Sequence, residues 1–160
     1  MEYLGKFWNF LYAIFLWHDW VTRSVSPDER ISRFILSERW MNRAKGSVSS
    51  AAFMPSTKTR DISVYRTSGC SERRVWSIGL FFVERKRRDR KRILGRADVN
   101  SNLIFIEGLR VRARLLPHPR HAELTDWPDD KAHQKHKALA LAQGATLGLR
   151  PDEYENIPAF

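Results

Sequence analysis

The clearest alternation of apolar and polar positions lies in LRVRARL, residues 109–115. Leu109, Val111, Ala113 and Leu115 fall on one side of an extended chain, and Arg110, Arg112 and Arg114 on the other, about 7 Å apart along the strand. This run predicts a strand with a buried aliphatic face and an open arginine stripe. ISRFIL, 31–36, also alternates well enough to be a strand. SVSSAAFM, 47–54, and the β-branched ISVYRT, 62–67, are bounded by Pro55 and Gly69 and read as a hairpin or meander. HAELTDW, 121–127, opens as another short strand. GRADVNSNLIFIEGL, 95–109, supports two readings: Val99, Leu103 and Ile106 keep helical spacing, while LIFI alone looks extended.

Helical periodicity dominates two segments. In 71–85, Ser71 is placed to cap, Glu72 suits the positive end of the helix dipole, and Val75, Trp76, Gly79, Phe82 and Val83 recur at helical spacing. In 128–143, Pro128 opens the first turn, Asp129 and Asp130 face the dipole, and Gly144 stands at the C-terminal cap. Ala132, His136, Leu139, Ala140 and Gln143 are its expected inner stripe. Together these elements predict an α+β fold: one small domain with a mainly antiparallel sheet and two principal helices, preceded by an aromatic N-terminal helix. The domain is expected over 26–145, after an aromatic extension over 1–25 and before a loosely ordered tail over 146–160.

The extension raises the question of a membrane. Its uninterrupted apolar part, FLYAIFLW at 10–17, is bounded by Asn9 and by His18 with Asp19, and is short of the roughly 20 residues that a spanning helix needs. No small-residue cleavage site follows it. Packing on the domain is the favoured reading of 3–21, with membrane contact and a disordered extension as alternatives.

Charge changes the picture more than composition does. The chain has 160 residues and a formal charge of +10, yet from Arg85 to Arg120 twelve Lys/Arg stand against three acidic residues, leaving the remainder nearly neutral. A surplus this local points to an anionic partner. The expected contact set is Arg85, Lys86, Arg87, Arg88, Arg90, Lys91, Arg92 and Arg96, extended by Arg110, Arg112 and Arg114 if the two segments face one way. Arginine forks suit phosphates, and no periodic aromatic set for stacking bases is interleaved, so backbone contact with little sequence reading is expected.

Catalytic chemistry is thinner. Four of the five histidines fall in HPRHAELTDWPDDKAHQKHK, 118–137. Two H-x-x-H pairs on one metal would need an extended, proline-flanked pair and a helical pair to meet, with no thiolate or carboxylate between them, so no metal site is assigned. The single cysteine, Cys70, excludes an internal disulfide and fits a cytoplasmic location. His121 is the residue with most to offer: beside Arg120, and near Arg33 or Arg66 if the fold brings them together, it would act as acid or base on a phosphate-bearing substrate.

The succession ISRFI, AFMP, SVYRTSG, WSIG, GRADV, GLRV and HPRHAELTDWPDDKAHQKHKALALA resembles a set of small bacterial proteins over roughly 31–143. That resemblance implies no activity, and no functional residue is carried over from it. Three functional readings follow, with no cofactor in any: a basic protein that binds nucleic acid or an acidic protein, an enzyme with His121 in its site, and a membrane-associated protein anchored by 3–21.

Overall fold

The computed structural model describes residues 24–154. The aromatic segment 3–21 and the helix expected there lie outside them. The domain is α+β, built on a six-stranded antiparallel sheet in the order β6-β7-β4-β1-β5-β8. Its strands are β1 (Arg30–Ile35), β4 (Ile62–Arg66), β5 (Gly95–Asn100), β6 (Arg110–Ala113), β7 (His121–Thr125) and β8 (Thr146–Leu149). A separate two-stranded ribbon pairs β2 (Met41–Asn42) with β3 (Ser47–Val48).

Helices cover both faces of the sheet. Helix α1 (Glu72–Ile78) continues without a break into a π-helical segment, Gly79–Glu84. Ser71 Oγ accepts from the Arg74 amide at 3.3 Å, the cap that its position predicts. Val75, Trp76, Ile78 and Leu80 pack on Phe34, Tyr65 and Ile93 to form one apolar cluster. Gly79 makes that approach possible, since a Cβ there would stand 2.6 Å from a Phe34 ring carbon. A short helix α2 (Ser101–Ile106) follows β5, so both readings of 95–109 are partly right: strand first, helix second. Helix α3 (Lys131–Gly144) is capped by Asp130, whose Oδ2 accepts from the His133 amide at 2.9 Å. It covers the opposite face, over Ile31, Ile35, Val64, Ala97 and Leu124.

Three expectations about the fold are corrected. Segments 47–54 and 62–67 do not pair: Ser49 Oγ takes the Ala51 amide and turns the chain into a short 3-10 helix, Ser50–Phe53, while β4 lies between β1 and β7. The tail is not loose at 146–154, because β8 pairs with β5 and Tyr154 is buried, stacked on Trp76. The inner side of α3 is Gln134, Ala138, Leu141 and Ala142, and His136, Leu139 and Gln143 are exposed. Apolar residues crowd every side of its second half, so periodicity alone cannot select the face. Gln134 is buried because its side chain donates to the Pro128 carbonyl at 2.7 Å.

Candidate functional site

The sheet register decides which polar side chains share a surface, because cross-strand partners point the same way. His121 pairs with Tyr65, Tyr65 with Ser32 and Ser32 with Asp98; in the neighbouring row Arg112 pairs with Glu123 and Glu123 with Ser63. These residues face the α1 side. So do Arg110 and Arg114, two positions either way along β6. Helix α1 covers this face over Phe34, Tyr65 and Arg96, while Ser63 and the arginines of the β6 edge are open to solvent or line surface grooves.

The arginine stripe runs along the outer edge of the sheet. It lines a shallow groove of about 1060 Å³ with Asp61, Thr125 and Asp126. The groove is not strongly basic, because three carboxylates, Asp61, Glu123 and Asp126, stand near its three arginines. Arg110 Nε pairs with Asp126 at 3.1 Å and Arg114 Nε with Glu123 at 2.8 Å, while Arg112 faces Glu123 across the strands.

The loop 85–92 differs in kind. Seven Lys/Arg stand against Asp89 alone. Glu84 ties off its base: one carboxylate oxygen accepts from the Ile93 amide at 2.7 Å and from Arg150 at 2.7 Å. Arg85, Lys86, Arg88, Arg90, Lys91 and Arg92 are exposed. Arg85 lies 4.4 Å over the Phe81 ring and Lys86 5.2 Å over Phe82. Arg87 turns inward, gripping Asp89 with two hydrogen bonds of 2.8 and 2.7 Å. That grip holds the Asp89 carboxyl down at about 2 and raises the Arg87 guanidinium.

Arg96 leaves the expected contact set. It is buried, bonded to Asp98 at 3.0 Å and to both carboxylate oxygens of Glu72 at 2.7 and 2.8 Å, and it lies over the Trp76 ring. Asp98 is bonded in turn to Ser32 at 2.6 Å, and Ser32 to Thr67 at 2.7 Å. This chain of bonds fixes the start of α1 to the sheet.

A cleft of about 250 Å³ opens at the foot of the basic loop, lined by Arg33, Trp40, Ser63, Phe82, Arg87 and His121 among others. Its floor follows from a break in the sheet. Strands β1 and β4 share only two registered pairs, Ile31 with Arg66 and Ser32 with Tyr65. Beyond them the Arg33 guanidinium replaces the ladder, donating to the Ser63 carbonyl at 2.7 Å and the Ala52 carbonyl at 3.3 Å, under the Trp40 ring. Burial, then the nearby charge of Arg87, lowers Arg33 to about 10, so it remains a cation at neutral pH. Among the described residues no carboxylate pairs with it.

His121 is buried at the cleft wall, its Nε2 2.8 Å from the exposed hydroxyl of Ser63. Burial lowers its pKa and outweighs the opposing influence of Glu123 and the Leu116 and Arg114 carbonyls. The expected meeting of His121 with Arg33 therefore occurs, and Ser63 is a partner that sequence reading did not name. Arg120 turns away, donating to the carbonyls of Arg66 and Ser68 at 3.0 and 3.1 Å. Arg66 is spent on Glu29, bonded at 2.7 and 2.5 Å. Arg66 holds the Glu29 carboxyl below its usual range even though burial pushes the other way.

The other histidines among the described residues are dispersed. His118 is fully buried, accepts from the Arg120 amide at 3.0 Å and meets Phe82 edge-on, whereas His133 and His136 are exposed on α3, across the sheet. Among the described residues no three His, Cys, Asp or Glu side chains gather as metal ligands, and no helix is long and apolar enough to cross a membrane. Compared with known protein families, with curated proteins and with solved structures, the chain shows no significant match.

Proposed function

We propose that the protein binds the sugar-phosphate backbone of nucleic acid, with the loop 85–92 as its principal contact. One observation carries this reading: seven cations and a single carboxylate are gathered in eight consecutive residues, held out from the domain on a base fixed by Glu84. Guanidinium forks match phosphate oxygens, and neutralised phosphates release counterions, which makes such binding strongly salt-dependent. The rings nearest the loop, Phe81 and Phe82, already carry Arg85 and Lys86, so they offer bases no open stacking platform. The contact is therefore with backbone and reads little sequence. Binding of a labelled oligonucleotide across a salt series tests it, against a control protein of equal charge. Affinity above the control, unaffected by polyglutamate at matched charge, supports nucleic acid; equal competition by polyglutamate points to an acidic protein partner instead.

The cleft favours a second reading, an enzyme acting on a phosphate-bearing substrate with His121 as proton acceptor. It rests on the 2.8 Å contact between the ring and Ser63 Oγ. Turnover of a phosphate ester that is lost in His121→Gln tests that reading.

A further inference from the structure

We propose that the cleft at the foot of the loop receives a terminal phosphomonoester, with Arg33 and Arg87 supplying charge and Ser63 and His121 hydrogen bonds. The proposal rests on the backbone-binding reading only for its source, the end of a strand held by the loop.

Three features of the cleft converge on this ligand. The first is uncompensated charge. Arg33 is packed among Trp40 and two carbonyls, without a carboxylate among the described residues. Carbonyl dipoles satisfy its N–H groups but leave its net charge, and in this setting that charge attracts an anion more strongly than an exposed arginine does. The second is like-charge proximity. Arg87 lines the same cleft and, although paired with Asp89, its charge acts against that of Arg33. An anion seated between them turns that repulsion into two attractions. The third is size. At about 250 Å³ the cleft falls below the roughly 300–1,000 Å³ of pockets that enclose drug-sized ligands. It suits a small anionic group, with the remainder of the strand lying outside it.

A dianionic chain end fits this set better than an internal phosphodiester. It carries up to two charges near neutral pH, against one on a phosphodiester, and so draws more from Arg33 and from the Arg87 guanidinium beside it. It also enters a cleft of this size end-on, whereas a continuous strand has to pass through it. Ser63 Oγ, exposed and bonded to His121 Nε2, is placed to donate to a phosphate oxygen while the ring takes its other bond. A bound dianion favours the protonated ring, which gives the site a spectroscopic reporter.

The test uses the full chain and follows the His121 ring resonances by NMR, together with affinities for oligonucleotides ending in a 5′-phosphate, a 3′-phosphate or hydroxyls only. Inorganic phosphate and a nucleoside monophosphate serve as unattached probes. Strands with a terminal phosphate are expected to bind about tenfold more tightly than hydroxyl-ended ones, the gain of one charge-assisted contact. Their binding and that of inorganic phosphate should raise the His121 pKa. Ser63→Ala, outside both the core and the loop, should abolish the gain while leaving hydroxyl-ended strands bound. Arg87→Gln, a loop variant that also releases Asp89, should abolish the gain and weaken hydroxyl-ended strands as well; Arg33→Lys should reduce the gain. Equal affinity for all strand ends, with an unperturbed His121, overturns the proposal. So does a phosphate response that Arg87→Gln leaves unchanged. If no oligonucleotide binds but phosphate still moves His121 through Arg87, the backbone-binding reading fails and the cleft stands as a receptor for a free phosphate or nucleotide.

Discussion

Two arginine-rich segments of this protein look alike when residues are counted and differ when their neighbours are. Strand β6 and the residue after it display Arg110, Arg112 and Arg114 at regular spacing along the sheet edge, but antiparallel pairing with β7 brings up Glu123, and Asp126 follows at its end. The loop 85–92 contains seven cations and, within the same eight residues, one carboxylate, Asp89. Net charge, rather than arginine content, draws a polyanion. On that basis the loop is the element proposed to bind an anion and the stripe a largely neutral edge, whose charged side chains discourage pairing with another sheet.

The largest predicted effect comes from the loop. Replacing Arg88, Arg90, Lys91 and Arg92 together by glutamine should weaken oligonucleotide binding at least about a hundredfold at low salt. The four side chains are exposed, so thermal unfolding should barely move, within about 0.5 kcal/mol. A loss of fold in that variant would show the loop to be structural. Next comes Arg96, which sequence counting groups with the loop and the fold removes from it. Arg96→Met leaves the part-buried Asp98 without its cation, and the domain should lose roughly 3 kcal/mol of stability by chemical denaturation. Binding by the folded fraction should be unchanged.

The stripe supplies a smaller effect with an opposite sign. Glu123→Gln combined with Asp126→Asn releases Arg110 and Arg114 from their partners and should strengthen oligonucleotide binding by about threefold. Arg110→Gln with Arg114→Gln should weaken it by no more than about that factor. Comparable losses from stripe and loop variants, measured side by side, would erase the distinction between the two regions.

The smallest effect is the pH dependence due to His121. Burial lowers its pKa in the folded state, so the unfolded chain binds the proton more readily. Stability contributed by the neutral ring is therefore present above the ordinary histidine pKa of about 6.5 and is lost as pH falls through it towards the lowered folded value. Unfolding measured across that range should show stability rising with pH, and His121→Gln should flatten the rise.

Much of this was legible in the sequence, and what was not has definite causes. The strand at 109–115, the capped helices near 71–85 and 128–143, and the position of the basic loop follow from local pattern and charge. The approach of His121 to Arg33 was visible only as a possibility, since it depends on β4 lying between β1 and β7. Ser63 went unnoticed because nothing local marks it; its role comes from standing opposite Glu123, beside the His121–Tyr65 pair. The neutralisation of the stripe did leave a trace. Had 109–115 been paired antiparallel with 121–127, Arg112 would have faced Glu123 on paper. Arg96 misled because a count along the chain cannot distinguish an arginine on a loop from one inside β5, whose partners Glu72 and Asp98 come from helix and strand.

The most direct test of the comparison is the salt dependence of oligonucleotide binding for the natural chain, the four-residue loop variant and the Arg110/Arg114 double variant. The account predicts that the logarithmic slope falls by about 3 in the loop variant, at roughly 0.7–0.9 per lost phosphate contact, while the double variant stays close to the natural chain. A natural chain that binds no better than a control of equal charge, or a double variant whose slope falls as far as the loop variant's, would contradict it.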